Sequence, residues 1–257
     1  MVYKSLVFQK TDAVGIITLN RPDAHNAVDV TLADELAEVC DAIAIDDDIK
    51  VVIVTGSGQQ AFCAGTDPAI VPEITGRKLE GRLPSVATPV AALHIPVIAT
   101  INGDALGQGL ELALACDIRI AAETARFAIT HIDAGLVPWD GATQRLPRII
   151  GRARAMEMII TGKYITAGEA FQIGLVSRIV PTPELLPSAL HMAREMAAKA
   201  PTALEYAKEA ILTGSDLTLE QGLRLESDLY FLLQTTEDRT EGITAFLKKK
   251  PPKFKGK

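Results

Sequence analysis

Along the chain, short runs of consecutive apolar residues alternate with stretches whose apolar positions recur every third or fourth residue. Val14-Gly-Ile-Ile-Thr-Leu-Asn20 has strand composition and stops at Arg21-Pro-Asp, after which Thr31 to Ile45 carries apolar residues at helical spacing. The order returns in Val51-Val-Ile-Val-Thr55, which enters a Gly-rich loop. It returns again in Pro96-Val-Ile-Ala-Thr-Ile101, which leads through Asn102-Gly-Asp-Ala-Leu-Gly into an apolar helix ending at Cys116. Ile118-Arg-Ile-Ala-Ala122 is a further short strand. Alternating strands and helices predict crossover connections and an α/β fold, and spacing alone leaves open an open sheet or a coiled stack of ββα turns. From residue 183 onward the pattern is almost wholly helical, over 185–199, 202–213, 218–234 and 237–247, with Pro201, Gly214 and Asp216 as breaks. A boundary near 195 divides a core, 1–195, from a C-terminal helical region, 196–257. Residues 68–88 mix Pro72, Gly76, Gly81 and Pro84 with charges and read as a mobile loop or short helices near a site.

Composition narrows the function classes. With 48% hydrophobic and 23% charged residues among 257, the chain has material for a sizeable core. The net charge of −6 is spread along the chain and the only dense basic run is the last ten residues, which argues against a nucleic-acid surface but not against a polyanionic small ligand. The N-terminus lacks the apolar stretch of a signal peptide and no window suits a bilayer crossing, so a cytoplasmic location without membrane partners is the expectation. Cys40, Cys63 and Cys116 have neither CxxC spacing nor an even count, which fits buried thiols better than a disulfide framework or a metal site.

The candidate chemistry lies in two Gly-containing loops, each between a strand and a helix: Gly56-Ser-Gly through Ala64-Gly-Thr-Asp67, and Asn102-Gly-Asp-Ala-Leu-Gly-Gln-Gly109. Glycine lets backbone approach a ligand, and the second loop opens an apolar helix whose free N–H groups and dipole favour a negative oxygen. Such loops also contain Gly for purely conformational reasons. Glu111 stands in an otherwise apolar run, where an acidic residue is costly to bury unless partnered or functional.

Five ordered blocks resemble the enoyl-CoA hydratase/isomerase (crotonase) superfamily: Leu19–Ala27, Ala61-Phe-Cys-Ala-Gly-Thr-Asp67, Pro96 through Asp117, Gly135-Leu-Val-Pro through Thr143-Gln-Arg-Leu, and Ala167-Gly-Glu-Ala through Val180. The ending, Asp238 through Gly256, also resembles that family's C-terminus, which in relatives helps hold the coenzyme A nucleotide. The resemblance implies a ClpP-like spiral of ββα turns with a C-terminal all-helical oligomerisation region, in a homotrimer or a hexamer made as a dimer of trimers. It implies an acyl-CoA substrate, no tightly bound cofactor and no metal, with coenzyme A entering only as part of the substrate. It also implies an oxyanion hole of two backbone N–H groups, worth about 3–4 kcal/mol per donor. By position these are Thr66 and Gln108, where Gln108 replaces a usual glycine and is expected to put a bulky polar side chain at the pocket entrance. Ala24, Ala64, Asp67, Trp139 and Phe254 fall at substrate-binding positions, although Asp67, like Asp117, also reads as a capping residue and Trp139 as simple packing. The basic tail with Phe254 suits an adenine beside phosphates, or plain solvated charge.

Hydratases of the family use two glutamates. The first position is kept as Glu111, and the second, twenty residues later, is His131. A neutral imidazole can accept water's proton, and Asp140 is expected to orient it by accepting from the other ring nitrogen, a spacing that also resembles the His/Asp pair of 6-oxocamphor hydrolase. Three functions follow: an enoyl-CoA hydratase-like lyase, a hydrolase cleaving a C–C bond of a cyclic β-diketone or β-oxoacyl-CoA, and a non-catalytic acyl-CoA binding protein.

Overall fold

The computed structural model describes residues 3–70 and 83–257. Most of the expectation for 68–88 therefore lies outside the described residues. The first strands, β1 (Leu6–Thr11) and β2 (Val14–Leu19), form an antiparallel hairpin whose turn places Asp12 in the left-handed region, which Asp tolerates. Helix α1 (Val30–Ala44) begins where the Asp29 carboxylate accepts the Leu32 N–H at 2.7 Å, and it buries Leu32, Leu36, Val39 and Ile43 on one face.

A repeating unit follows. β3 (Val51–Gly56), β4 (Ala61–Cys63) and α2 (Ala87–Ala91) form the first turn. β5 (Val97–Ile101), β6 (Asp104–Leu106) and α3 (Gln108–Ala115) form the second. β7 (Ile118–Ala122), β8 (Arg126–Ala128), α4 (Ala142–Ile150) and α5 (Arg152–Thr161) form the third. The core closes with β9 (Ile165–Thr166), α6 (Ala167–Gln172) and β10 (Arg178–Val180). Each turn adds one strand to each of two sheets, ordered β1-β2-β3-β5-β7-β10 and β4-β6-β8-β9, with successive turns paired in parallel. This resolves the alternative left open by spacing in favour of the coiled ββα stack.

The parallel strands are covered on both faces, which is why they read as unbroken apolar runs. One face meets the large core around α1 and α3. The other meets α7 (Leu185–Ala197), whose Leu185, Ala189 and Ala193 pack on Val14, Ile16, Val51, Ile53, Ile98 and Ile120. A division at 195 therefore falls inside a helix that belongs to the sheet, and the chain leaves it only after Ala197. The remaining helices are α8 (Pro201–Gly214), α9 (Leu219–Leu233) and α10 (Glu237–Leu247). They are anchored by Lys208, which bonds Asp117 at 2.8 Å and the Ile95 carbonyl at 2.9 Å. They leave Ile211, Leu219, Phe231, Phe246 and Leu247 exposed.

Candidate active site

The two Gly-containing loops meet. Gly65 and Gly107 both have positive φ, and a Cβ on Gly65 would stand 2.9 Å from the Leu106 carbonyl. Gly109 seats α3 on β4 so closely that a Cβ there would lie 2.0 Å from the Cys63 carbonyl oxygen. Val28 donates to the Gly65 carbonyl at 2.7 Å and accepts from the Asp67 N–H at 2.8 Å. This ladder brackets Thr66 and turns its N–H away from Val28. Gln108 is the first residue of α3, so its N–H has no intrahelical acceptor. Among the described residues neither N–H has a hydrogen-bond partner.

Glu111 lies one turn beyond Gln108, on the same side of α3. It has no solvent exposure. Its Oε1 accepts the Asp140 and Ala142 N–H groups, both at 2.9 Å, which fixes the carboxylate at the start of α4. Its Oε2 accepts no hydrogen bond among the described residues and faces His131 Nε2 at 3.3 Å. His131 begins a short 3-10 turn, His131–Ala134, and is 9% exposed, with Nδ1 likewise unpartnered among the described residues. Its ring sits beside Gly107, where an added Cβ would be 3.6 Å from Cε1. Buried polar atoms left unbonded are costly, so the unpartnered Glu111 Oε2 and His131 Nδ1, on two side chains that approach each other near two unused N–H groups, mark a place built for a ligand.

Three expectations are corrected by this geometry. Asp140 does not orient His131. Its carboxylate accepts from Ser85 Oγ at 2.6 Å, from the Val86 and Ala87 N–H groups at 2.9 and 3.1 Å, and from Gln108 Nε2 at 3.1 Å, which occupies it at the start of α2. The Gln108 side chain does not stand at an entrance but is fully buried, bonded to Thr66 Oγ1 at 3.0 Å, the Pro84 carbonyl at 2.7 Å and Asp140. Phe254 is not brought to the site within one chain. The Asp238 carboxylate takes the Lys255 and Gly256 N–H groups at 2.7 and 2.8 Å, folding the tail against Gly242 on α10.

Ala64 and Trp139 line two separate clefts, and neither described lining includes Thr66, Gln108, Glu111 or His131. Ala64 donates to the His25 carbonyl at 3.1 Å, next to Ala24, and lines a cleft of about 510 Å³ with His25, Ala61 and Leu106. Trp139 lines a separate cleft of about 700 Å³ with Leu114, Gln144, Arg145 and Leu212, whose described lining includes none of Thr66, Gln108, Glu111 or His131. Asp67 is a brace: the Ala69 N–H, then Arg21, holds its carboxyl below the usual range, while Arg21 also bonds Asp29 and the Ala27 carbonyl. The three thiols are buried and pushed up to about 12, which makes Cys63 inert as a nucleophile. Sequence reading passed over Asn26 and Asn102, whose buried amides both donate to the Ala61 carbonyl, at 2.9 and 3.1 Å, and so hold the first loop. Both asparagines lie inside the family-like blocks, Asn26 between His25 and Ala27 and Asn102 before Gly103.

Comparison with known proteins agrees over the whole molecule. The family model for enoyl-CoA hydratase/isomerase matches residues 9–257. The chain is 41% identical to a 2,3-dehydroadipyl-CoA hydratase of Escherichia coli, over 98% of this chain and 99% of that one. It is 37% identical to a crotonyl-CoA hydratase of Syntrophomonas wolfei, over 99% of each. The crystal structure of an enoyl-CoA hydratase from Bacillus anthracis superposes with a TM-score of 0.92 at 40% identity, over 99% of this chain and 100% of that one.

Proposed function

Because the chain belongs to the enoyl-CoA hydratase/isomerase family, we propose that Thr66, Gln108, Glu111 and His131 together add water across the double bond of an α,β-unsaturated acyl-CoA. The enzyme is a hydratase-like lyase of acyl-CoA thioesters. The observation that carries the assignment of residues is the Glu111 Oε2 to His131 Nε2 approach of 3.3 Å beside two unused backbone donors.

In this reading the thioester carbonyl accepts from the Thr66 and Gln108 N–H groups. A water at Glu111 Oε2 loses a proton to the carboxylate as its oxygen bonds to Cβ, and the π pair moves onto the carbonyl oxygen as an enolate. The enolate collapses by taking a proton at Cα from His131, which recovers one from Glu111. One O–H bond and the C=C π bond break and one C–O and one C–H bond form, with no net oxidation or reduction, so no resident cofactor or metal is called for and coenzyme A serves as the substrate's handle. Hydrolysis of a β-diketone would need the His131–Asp140 pair, which is not made. A purely binding role leaves the facing Glu111 and His131 without purpose.

The exposed apolar residues of α9 and α10 support a homotrimer or a dimer of trimers, and 198–257 as the oligomerisation region. Phe254 then serves substrate binding across an interface between copies, while Ala24, Ala64 and Asp67 support the near side of the substrate and Trp139 the distal part of its acyl group. No helix among the described residues is long and apolar enough to cross a membrane, and a cytoplasmic site of action is part of this proposal. The test is a panel of linear, aromatic and cyclic enoyl-CoAs followed by mass spectrometry. A hydrated product from at least one member is expected, and none from any would overturn the reading.

A further inference from the structure

The buried side chain of Gln108 is unexplained by a role confined to its backbone N–H. Its three bonds leave no choice of orientation: the Pro84 carbonyl and the Asp140 carboxylate present acceptors, so Nε2 must face them and Oε1 must face the Thr66 hydroxyl. The amide thus spans from one oxyanion loop to the other, joining the two residues whose N–H groups have no partner among the described residues. At its other end it reaches Asp140, whose own N–H holds Glu111 Oε1 at 2.9 Å. One side chain therefore fixes three things at once: the position of Thr66, the start of α3, and the loop that clamps the base. The two loops are already joined at their far ends, where Asn102 donates to the Gly58 and Ala61 carbonyls and β4 pairs with β6, but the Gln108 amide is the described side chain that bonds one donor-bearing residue to the other.

We propose that the Gln108 side chain is a positioning residue, a strut across the oxyanion hole that sets the spacing of the Thr66 and Gln108 N–H donors through its bond to Thr66 Oγ1. This rests on the reading of Thr66 and Gln108 as the hole. Because both backbone donors survive side-chain substitution, the strut is separable from the donors themselves. A displacement of either donor by about 1 Å is enough to slow a reaction on the order of 100-fold, since hydrogen bonds to the oxyanion are steep in distance and angle.

The test uses the full-length protein with three variants, Gln108→Met, Thr66→Val and Thr66→Ser, and two readouts. One is kcat and KM on an enoyl-CoA that the wild type hydrates. The other is the carbonyl stretch of a bound saturated acyl-CoA carrying an isotope label at the thioester carbon, which reports polarisation by the hole without turnover. Gln108→Met and Thr66→Val are each expected to lower kcat by about 10- to 100-fold with KM little changed and to move the stretch toward its value in water. The double variant should be no worse than the worse single one, and Thr66→Ser should recover most of the loss. If Gln108→Met does not fold, Thr66→Val, which removes only one methyl-sized hydroxyl from a half-buried residue, decides the matter. A wild-type stretch and kcat in Thr66→Val would overturn the strut alone. A wild-type protein whose bound thioester shows no shifted stretch would overturn the hole, and the strut with it.

Discussion

The oxyanion side of the site and its acid/base side are held in different ways. On the first, backbone does the chemistry and is fixed by close contact: Gly65 and Gly109 leave no room for a Cβ, Gly107 holds a positive φ, and buried asparagines tie the loop by its carbonyls. On the second, side chains do the chemistry, and one oxygen of Glu111 is clamped by two N–H groups while the other is left free toward His131. A hole of fixed donors needs rigidity, whereas a proton carrier needs one bonded and one available atom. The difference teaches that Asp140, though acidic and nine residues from His131, belongs to the scaffold rather than to the proton path.

The largest effect should come from Glu111→Gln, whose amide oxygen can still accept the Asp140 and Ala142 N–H groups while the base is lost. We expect kcat to fall by roughly 10³- to 10⁴-fold with little change in melting temperature, measured by steady-state hydration and thermal unfolding. His131→Ala should lower kcat by about 10²- to 10³-fold under the same assay. Gly109→Ala breaks the other side by a different route. Its Cβ would lie 2.0 Å from the Cys63 oxygen, so α3 must move off β4, and stability should drop by about 1–3 kcal/mol in denaturant unfolding together with activity. Asp140→Asn sharpens the contrast most. If Asp140 oriented the histidine, as in a Ser-His-Asp triad, the loss would be of order 10⁴, whereas a scaffold carboxylate replaced by an isosteric amide should cost about tenfold or less. The smallest effect belongs to Asp67, whose carboxyl is held below the usual range by the Ala69 N–H and Arg21. Its contribution is fully present above the unfolded value and is lost as pH falls through the lowered folded one. Asp67→Asn should therefore cost roughly 1 kcal/mol or less near neutrality and nothing near pH 2, read from melting curves at both.

Much of this was legible in the sequence, and the reasons are physical. Strands β3, β5 and β7 are long enough to show as apolar runs, and helices α7 to α10 long enough to show a helical period. β4, β6, β8 and β9 have two or three residues each, too few to carry a period, and exist because the spiral lays them beside one another. Thr66, Gln108 and His131 are marked by their positions in the blocks that resemble the family, and Glu111 by that and by standing in an apolar run. What spacing could not reveal was direction. The 3-10 turn at His131–Ala134 points His131 toward Glu111, and Asp140 is captured by Ser85 and the start of α2, more than fifty residues earlier. The burial of Gln108 was hidden for the same reason, since its acceptor Pro84 lies outside every motif, far back along the chain.

The central claim is that Glu111, facing His131 beside the two backbone donors, draws the added oxygen from water. The direct measurement is incorporation of heavy oxygen from labelled water into the β-hydroxyl of a 3-hydroxyacyl-CoA product, followed in the wild type and in Glu111→Gln. The account predicts stoichiometric label in the wild-type product and near-complete loss of product in the variant. Label appearing at an undiminished rate with Glu111→Gln would contradict it.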